Sequence, residues 1–357
     1  MAIDYRSDEP LVSVVTPVYN GEKYIAECVE SVLGQGYRNW EYIILNNRSM
    51  DRTLEVIRKY AKKEPRIKVY TNDEFLEQIV NFNAALRKIS PESKYCVLLM
   101  ADDWLFPDCV ERKVALAEKY PSVGLVGSYR LMGRRVSADG IPYPSHFTEG
   151  REIGRGYLAE EFYLGTPTNV LMRSDLVRSR PSLFDETVIH ADRMLFLDLL
   201  LESDFGFVHE VLTFYRRHEE TTTSVVADRY ETQWSDKLLA WIRYGRRYFE
   251  EDELPERMAS FLWRYYRMLA RIHLTIGAGD ARRHQRKRLR EMGHRIDIPL
   301  FLQAFLFEFL DLRGILMRII KRRARARLIS SEEESADRSL STIFRQKTDP
   351  VKKSGSR

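Results

Sequence analysis

LVSVVTPVYNGEKYIAECVESVLGQGYRNWEYIILNN, residues 11–47, holds a complete strand–helix–strand unit. Residues 11–19 are rich in Val and close on the turn pair Asn20-Gly21, and residues 41–46 are a second run of Tyr, Ile and Leu, so both read as strands. Between them Tyr24, Ile25, Cys28, Val29, Val32 and Leu33 recur at helical spacing, opened by Asn20-Gly21 and closed by Gly34. Residues 67–70 and 95–100 are further strand-like runs, separated by helical patterns over 53–60 and 79–89. Strict alternation of this kind predicts an α/β fold: a mostly parallel central sheet, Rossmann-like, with helices on its faces and right-handed crossovers. Such sheets bind ligands outside the carboxyl ends of their strands. That rule selects Thr16 to Asn20, Asn46 to Asp51, and Ala101 to Trp104.

The rest of the chain reads less regularly. Residues 124–129 and 168–172 are strand-like, Asp139-Gly140 suggests a hairpin or excursion, a helix is expected over 193–201, and 207–215 alternates into a last strand. From about 230 the pattern is helical and rich in Trp, Tyr, Arg and Leu. The chain of 357 residues exceeds what a single core usually organises. We therefore expect a short lead over 1–10, a catalytic domain over 11–225, a separate helical region over 226–328, and a disordered polar tail over 329–357.

Composition narrows the setting. With 44% hydrophobic and 31% charged residues the chain is that of a globular protein, not a wholly disordered one. Cys28, Cys96 and Cys109 lack CxxC spacing, which points to reduced thiols, and no apolar run near the start suits a signal sequence. A cytoplasmic location is expected. Between 281 and 327 fourteen Lys or Arg face four Asp or Glu, so the net charge of +5 is concentrated near the C-terminal end and nucleic acid is a poor partner. Phe301, Phe305, Phe309, Leu312, Leu316 and Ile319 form an apolar helical face followed by Lys321-Arg322-Arg323. Residues 298–327 therefore suit an anionic membrane surface, giving peripheral attachment on the inner face of the cell membrane. The alternative is packing on the protein itself or on a second copy in a homo-oligomer.

Several motifs in order carry a family resemblance. TPVYNGEKYIAECVESVLGQGYRNWEYIILNN resembles the opening of family 2 glycosyltransferases of the GT-A fold, and LLMADDWLFPDCVERKV resembles their metal-binding segment; the likeness extends from about 11 to 223. It implies an inverting, metal-dependent transfer of a sugar from a nucleotide-sugar donor, UDP foremost, to a glycan or lipid-linked acceptor, in the synthesis of cell-surface or exported polysaccharide. By motif position Tyr19 would stack on the base, Pro17 and Val18 would edge its pocket, and Asn46 would meet its polar edge. Asp102, with Asp103, would hold Mn²⁺ or Mg²⁺, as hard carboxylate oxygens beside a diphosphate can. Asp192, ahead of a helix, would be the catalytic base. Arg217 would hold the diphosphate, His218 would complete the metal shell, and Asn83 would belong to a donor-side polar cluster.

Each assignment has a plainer alternative. Asp103 or a neighbour could cap the helix starting near Asp108, Asp192 could cap the next one, His218 could be a surface histidine, and Asn83 a helix-face amide. The chain also departs from the family pattern. Asn46-Asn47 stands where the family shows Asp-Asp, and Met100-Ala101-Asp102 where it shows Asp-x-Asp. Those losses motivate a second reading, a catalytically silent protein that binds a nucleotide or a partner.

Overall fold

The computed structural model describes residues 9–138, 140–218, 228–275 and 277–311. The expected tail over 329–357, the basic run after 311 and most of the lead lie outside these residues. The first half alternates as the sequence predicts: β1 (Val12–Val18), α1 (Ile25–Leu33), β2 (Trp40–Asn46), α2 (Thr53–Ala61), β3 (Ile67–Thr71), α3 (Gln78–Leu86) and β4 (Tyr95–Leu98). Then follow β5 (Trp104–Leu105), α4 (Cys109–Lys119), β6 (Val123–Met132), β7 (Arg135–Ser137), β8 (Phe147–Thr148), α5 (Gly150–Ala159), β9 (Leu171–Arg173), α6 (Ser174–Arg178), α7 (Ala191–Leu199) and β10 (Asp204–Tyr215). The C-terminal helices are α8 (Asp228–Tyr230), α9 (Thr232–Tyr248), α10 (Leu254–Leu274), α11 (Gly279–Glu291) and α12 (Ile298–Leu310).

The sheet runs β3-β2-β1-β4-β9-β6-β10-β5. Its first four strands are parallel, β9 is antiparallel to both neighbours, and β6 and β10 are again parallel. Every residue of β1 and β2 is buried, as strands covered on both faces require. Strand periodicity sorts the side chains between two cores: Val12, Val14, Tyr42 and Ile44 pack with α1, while Val15, Ile43 and Leu45 join the larger core on the other face.

The structure departs from the sequence reading at three places. Residues 168–172 are not one strand, because Pro167 opens a 3-10 turn over Pro167–Asn169 and extended pairing starts only at Leu171. A hairpin joins β6 to β7 through Gly133, whose φ of 57° suits glycine and which the sequence reading did not mark; Asp139, in the expected hairpin or excursion, lies outside the described residues. The helical region is not a separate unit either. Trp241, Tyr244, Tyr248, Phe261 and Tyr265 share one core with Ile153, Tyr157 and Phe196 of the catalytic half. Tyr248 donates to the Leu197 carbonyl at 2.5 Å and lies where a Cβ on Gly154 would come within 2.1 Å of its ring.

α12 carries only Phe301, Phe305 and Phe309 of the expected apolar face; Leu312, Leu316 and Ile319 lie outside the described residues. Phe301 and Phe305 are half-buried in packing against the protein, and Glu308 is fully buried, paired with Arg267 at 2.6 Å. The outward apolar row is instead Ile298, Leu302, Leu306, Phe309 and Leu310. Among the described residues no helix is long and apolar enough to cross a membrane.

Candidate functional site

The carboxyl ends of β1 and β4 open into a cleft of about 850 Å³ lined by residues from both halves of the chain. Its first wall is the turn after β1. Asn20 adopts a left-handed backbone (φ 49°), its Oδ1 accepts from Met50 N at 2.8 Å, and its own N donates to Ser49 Oγ at 2.9 Å. Gly21 N donates to Thr53 Oγ1 at 2.7 Å, and a Cβ there would sit 2.7 Å from the Val18 side chain. The loops after β1 and β2 are thus fastened by short polar side chains, as turn chemistry favours. Pro17, Val18 and Tyr19 line the cleft as expected. Tyr19 is 42% exposed and meets the edge of Phe75 with ring centroids 4.9 Å apart, making an aromatic corner on the cleft wall.

Two predicted donor residues are placed otherwise. Asn46 is buried and does not line the cleft; its Oδ1 accepts from Ser49 N at 3.2 Å, closing the turn on itself. Asn47 is the one facing the cleft, and its amide staples the loop carrying Phe75, accepting from Leu76 N at 3.0 Å and donating to Leu76 O at 2.7 Å. Asn83 is no ligand residue either. Its Nδ2 donates to Ser182 Oγ, Phe184 O and Glu186 Oε1 at 2.8, 3.0 and 3.0 Å, and its Oδ1 accepts from Phe184 N at 2.9 Å. The amide is fully spent clamping α3 to the loop that leads toward α7.

The adjacent aspartates after β4 divide their tasks. Asp102 lines the cleft with its Oδ2 3.1 Å from Nε2 of His218, which also lines it. Asp103 points inward: it is 1% exposed, Oδ2 accepts from Thr168 Oγ1 at 2.7 Å and Oδ1 from Arg216 N at 2.9 Å. Burial, and then the neighbouring charge of Asp102, push its carboxyl well above the usual range. Asp103 is therefore a strut and not a metal ligand. Nor does it cap α4, since β5 intervenes. Through Asp103 the 3-10 turn is tied to the segment 215–218; Arg216 is anchored to Glu27 at 2.6 Å and lies over the Tyr24 ring at 4.2 Å, leaving Arg217 and His218 on the cleft wall. Met100 lines the cleft too.

Asp192 faces the same cleft from the first turn of α7. The cap position belongs to His190, whose N donates to Asp236 Oδ2 at 3.1 Å, so Asp192 is not the cap that its spacing also allowed. Asp192 Oδ1 accepts from its neighbour Arg193 N at 2.9 Å, near the positive end of the helix. Asp185 is structural, paired with Arg243 and closing a turn onto Thr187 at 2.9 Å.

For a divalent cation, one carboxylate and one imidazole converge at Asp102 and His218. No group of three or more metal-binding side chains occurs among the described residues. This pair fits a cation that takes most of its ligands from a bound diphosphate and water, which is the usual habit of Mg²⁺ and its relatives. The sequence reading missed Phe75, Arg130 and Lys237, and placed Asn46 rather than its neighbour Asn47 at the ligand. For Phe75 a signal existed, an aromatic residue in the polar loop at a strand's carboxyl end.

The chain resembles several known proteins. Residues 13–179 match the family described as glycosyl transferase family 2. An uncharacterized glycosyltransferase of Haemophilus influenzae is 29% identical over 224 residues, which is 60% of this chain and 68% of that protein. A Bacillus subtilis protein provisionally named as the teichuronic acid biosynthesis glycosyltransferase TuaG is 34% identical over 134 residues, 38% of this chain and 51% of its own length. Among solved structures, S. aureus TarS 1–349 in complex with UDP-GlcNAc superposes with a TM-score of 0.51 at 16% identity, covering 81% of this chain and 94% of that one. The mannosyltransferase PcManGT from Pyrobaculum calidifontis, in complex with GDP-Man and Mn²⁺, gives 0.54 at 14% identity, covering 93% and 87%. At such identities the structural likeness speaks for the fold, which is GT-A as the sequence predicts.

Proposed function

We propose that this chain, whose residues 13–179 match glycosyl transferase family 2 and whose fold is GT-A, is an inverting, metal-dependent transferase acting on a nucleoside diphosphate sugar, UDP foremost. Its acceptor is a glycan or lipid-linked sugar in the making of surface or exported polysaccharide. The observation that carries this reading is the presence in one cleft of the Tyr19–Phe75 corner, the facing pair Asp102 and His218, and the carboxylate of Asp192.

The base lies against Tyr19 and Phe75, and Arg217 holds the diphosphate by charge-assisted hydrogen bonds. Asp102 and His218 would hold Mn²⁺ or Mg²⁺, which supplies Lewis-acid stabilisation of the departing diphosphate. Asp192 accepts the proton of the acceptor hydroxyl as that oxygen attacks the anomeric carbon from the face opposite the leaving group, which inverts the centre. Asn46 and Asn47, the basis of the silent-protein reading, hold loops in place, so the absence of carboxylates there leaves the chemistry at Asp102 and Asp192 untouched.

The outward row of α12 supports attachment to an anionic membrane surface. In a flotation assay with anionic vesicles the full chain should float and a chain ending at Gly293 should not; no flotation by either rejects attachment. The enzymatic reading is tested by nucleotide release from UDP-, GDP- and dTDP-sugars with Mn²⁺ and an acceptor panel. Nucleotide binding without release from any donor would favour the silent protein.

A further inference from the structure

Beyond Asp192 the cleft does not end in neutral surface. Arg130, projecting from β6, is 94% buried (6% exposed) yet lines the cleft. Its partners are neutral: Nε donates to Ser137 Oγ at 2.8 Å, Nη1 to Thr166 Oγ1 at 3.3 Å, and the guanidinium lies over Tyr163 and Tyr215 at 5.1 and 4.6 Å. The carboxylate within electrostatic reach, Asp103, has both oxygens engaged elsewhere. Arg193, on the cleft wall, donates to the Tyr157 carbonyl at 3.4 Å and covers that ring at 4.6 Å. Among the described residues neither arginine stands in an ion pair. Lys237 shares its carboxylate partner Glu160 with Arg264. A second cavity of about 420 Å³ continues the cleft and has Tyr163, Arg193, Gln233 and Lys237 in common with it.

Buried cations are normally paired, because desolvating an unmatched charge is costly. Here Arg130, Arg193 and Lys237 border the cleft together with Asp192, and Arg193 and Lys237 border the second cavity opposite Glu160 and Glu161. Glu160 is already shared and Glu161 is engaged with Arg257 at 3.5 Å. The arrangement also lies away from the donor. In the sheet order β4 and β9 separate β6 from β1, which carries the base corner. Resting on the glycosyltransferase reading of the cleft, we propose that the acceptor itself bears an anionic group, a phosphate or carboxylate, which Arg130, Arg193 and Lys237 receive while the acceptor hydroxyl lies at Asp192. An arginine pair suits a planar or tetrahedral oxyanion through parallel N–H donors, and the aromatic rings behind it keep the guanidinium groups in place. Neutral glycans would leave the two arginines unmatched, so the site selects against them.

The test uses the full chain saturated with UDP and Mn²⁺, titrated calorimetrically with glucose 1-phosphate, glucuronic acid and methyl glucoside. At least one anionic sugar should bind where the neutral one does not, and which of the two binds tells phosphate from carboxylate. Lys237→Gln and Arg193→Gln should each weaken that binding by about tenfold while UDP affinity holds, as loss of a charged hydrogen-bond donor predicts. Anions binding no better than methyl glucoside, binding unchanged in both folded variants, or displacement of UDP by the anion would each overturn the proposal. If UDP itself does not bind with Mn²⁺ present, the UDP preference fails instead, and the same titration of the unloaded chain still decides whether the anion site exists.

Discussion

At the donor end of the cleft the loops after β1 and β2 are closed by Asn20, Thr53, Asn46 and Asn47, so the wall is stapled before any ligand arrives. At the acceptor end Arg130, Arg193 and Lys237 come from β6, α7 and α9, and face the cavity with charges the protein does not match one for one. The first is a preorganised pocket for a ligand part common to many transferases; the second is a charged chamber whose complement must come from the acceptor. The difference teaches where specificity resides. Neutral amides give rigidity without choosing a charge, whereas unmatched cations choose one.

Substitutions at the junction and at each end can break or sharpen that contrast. The largest effect is expected at the junction, where Asp192→Asn should lower acceptor-dependent nucleotide release by about 10²-fold or more, with donor affinity unchanged. A variant of near-normal rate would remove Asp192 from catalysis. Asn83→Ala unties the loop between the two ends and leaves buried backbone groups at Phe184 unpaired, so thermal denaturation should show a loss of about 2–3 kcal/mol. A loss within about 0.5 kcal/mol would show that the clamp is incidental.

Tyr19→Ala should act on one end alone, weakening UDP binding by about 1–2 kcal/mol, the scale of base–aromatic stacking, while sugar-phosphate binding at the far end is kept. Equal weakening at both ends would mean they are not independent. The smallest effect, and a control, is Glu41→Gln on β2, outside the cleft-lining residues. Burial acts to raise the Glu41 carboxyl, but hydrogen bonds from Lys68, Ser13 and Ser90 outweigh it, so the folded value lies below the unfolded one. Its stabilisation is then present above the ordinary carboxylate range and lost as pH falls through the folded value. Denaturation curves should differ by about 1 kcal/mol at neutral pH and converge in acid, with release rates equal. A gap that persists in acid would contradict the sign.

The parts of the site carried by one strand and its following turn were legible in sequence. Tyr19 and Asp102 each follow an apolar run by a few residues, and strand geometry delivers them to the ligand edge. Asn46 and Asn83 defeated the same reasoning because an amide's role depends on its partner, and Asn83 is spent on Glu186, 103 residues away. Asp103 could not be separated from Asp102 in sequence; the turn closed by Asp103 N on Met100 O at 3.0 Å leaves Asp102 on the cleft and turns Asp103 into the core. Arg130 and Lys237 looked like ordinary strand and helix-face charges. Only the packing of the C-terminal helices on the catalytic core brings them to one chamber, and the expectation of a separate helical unit concealed that.

The central claim is that Asp102 holds the cation on which donor cleavage depends. It is tested most directly by measuring nucleotide release from the preferred donor with Mn²⁺, with chelator, and for Asp102→Ala. Chelation should abolish release, and Asp102→Ala should lower it by about 10²-fold or more with its melting temperature preserved. Release by folded Asp102→Ala at the original rate would contradict it.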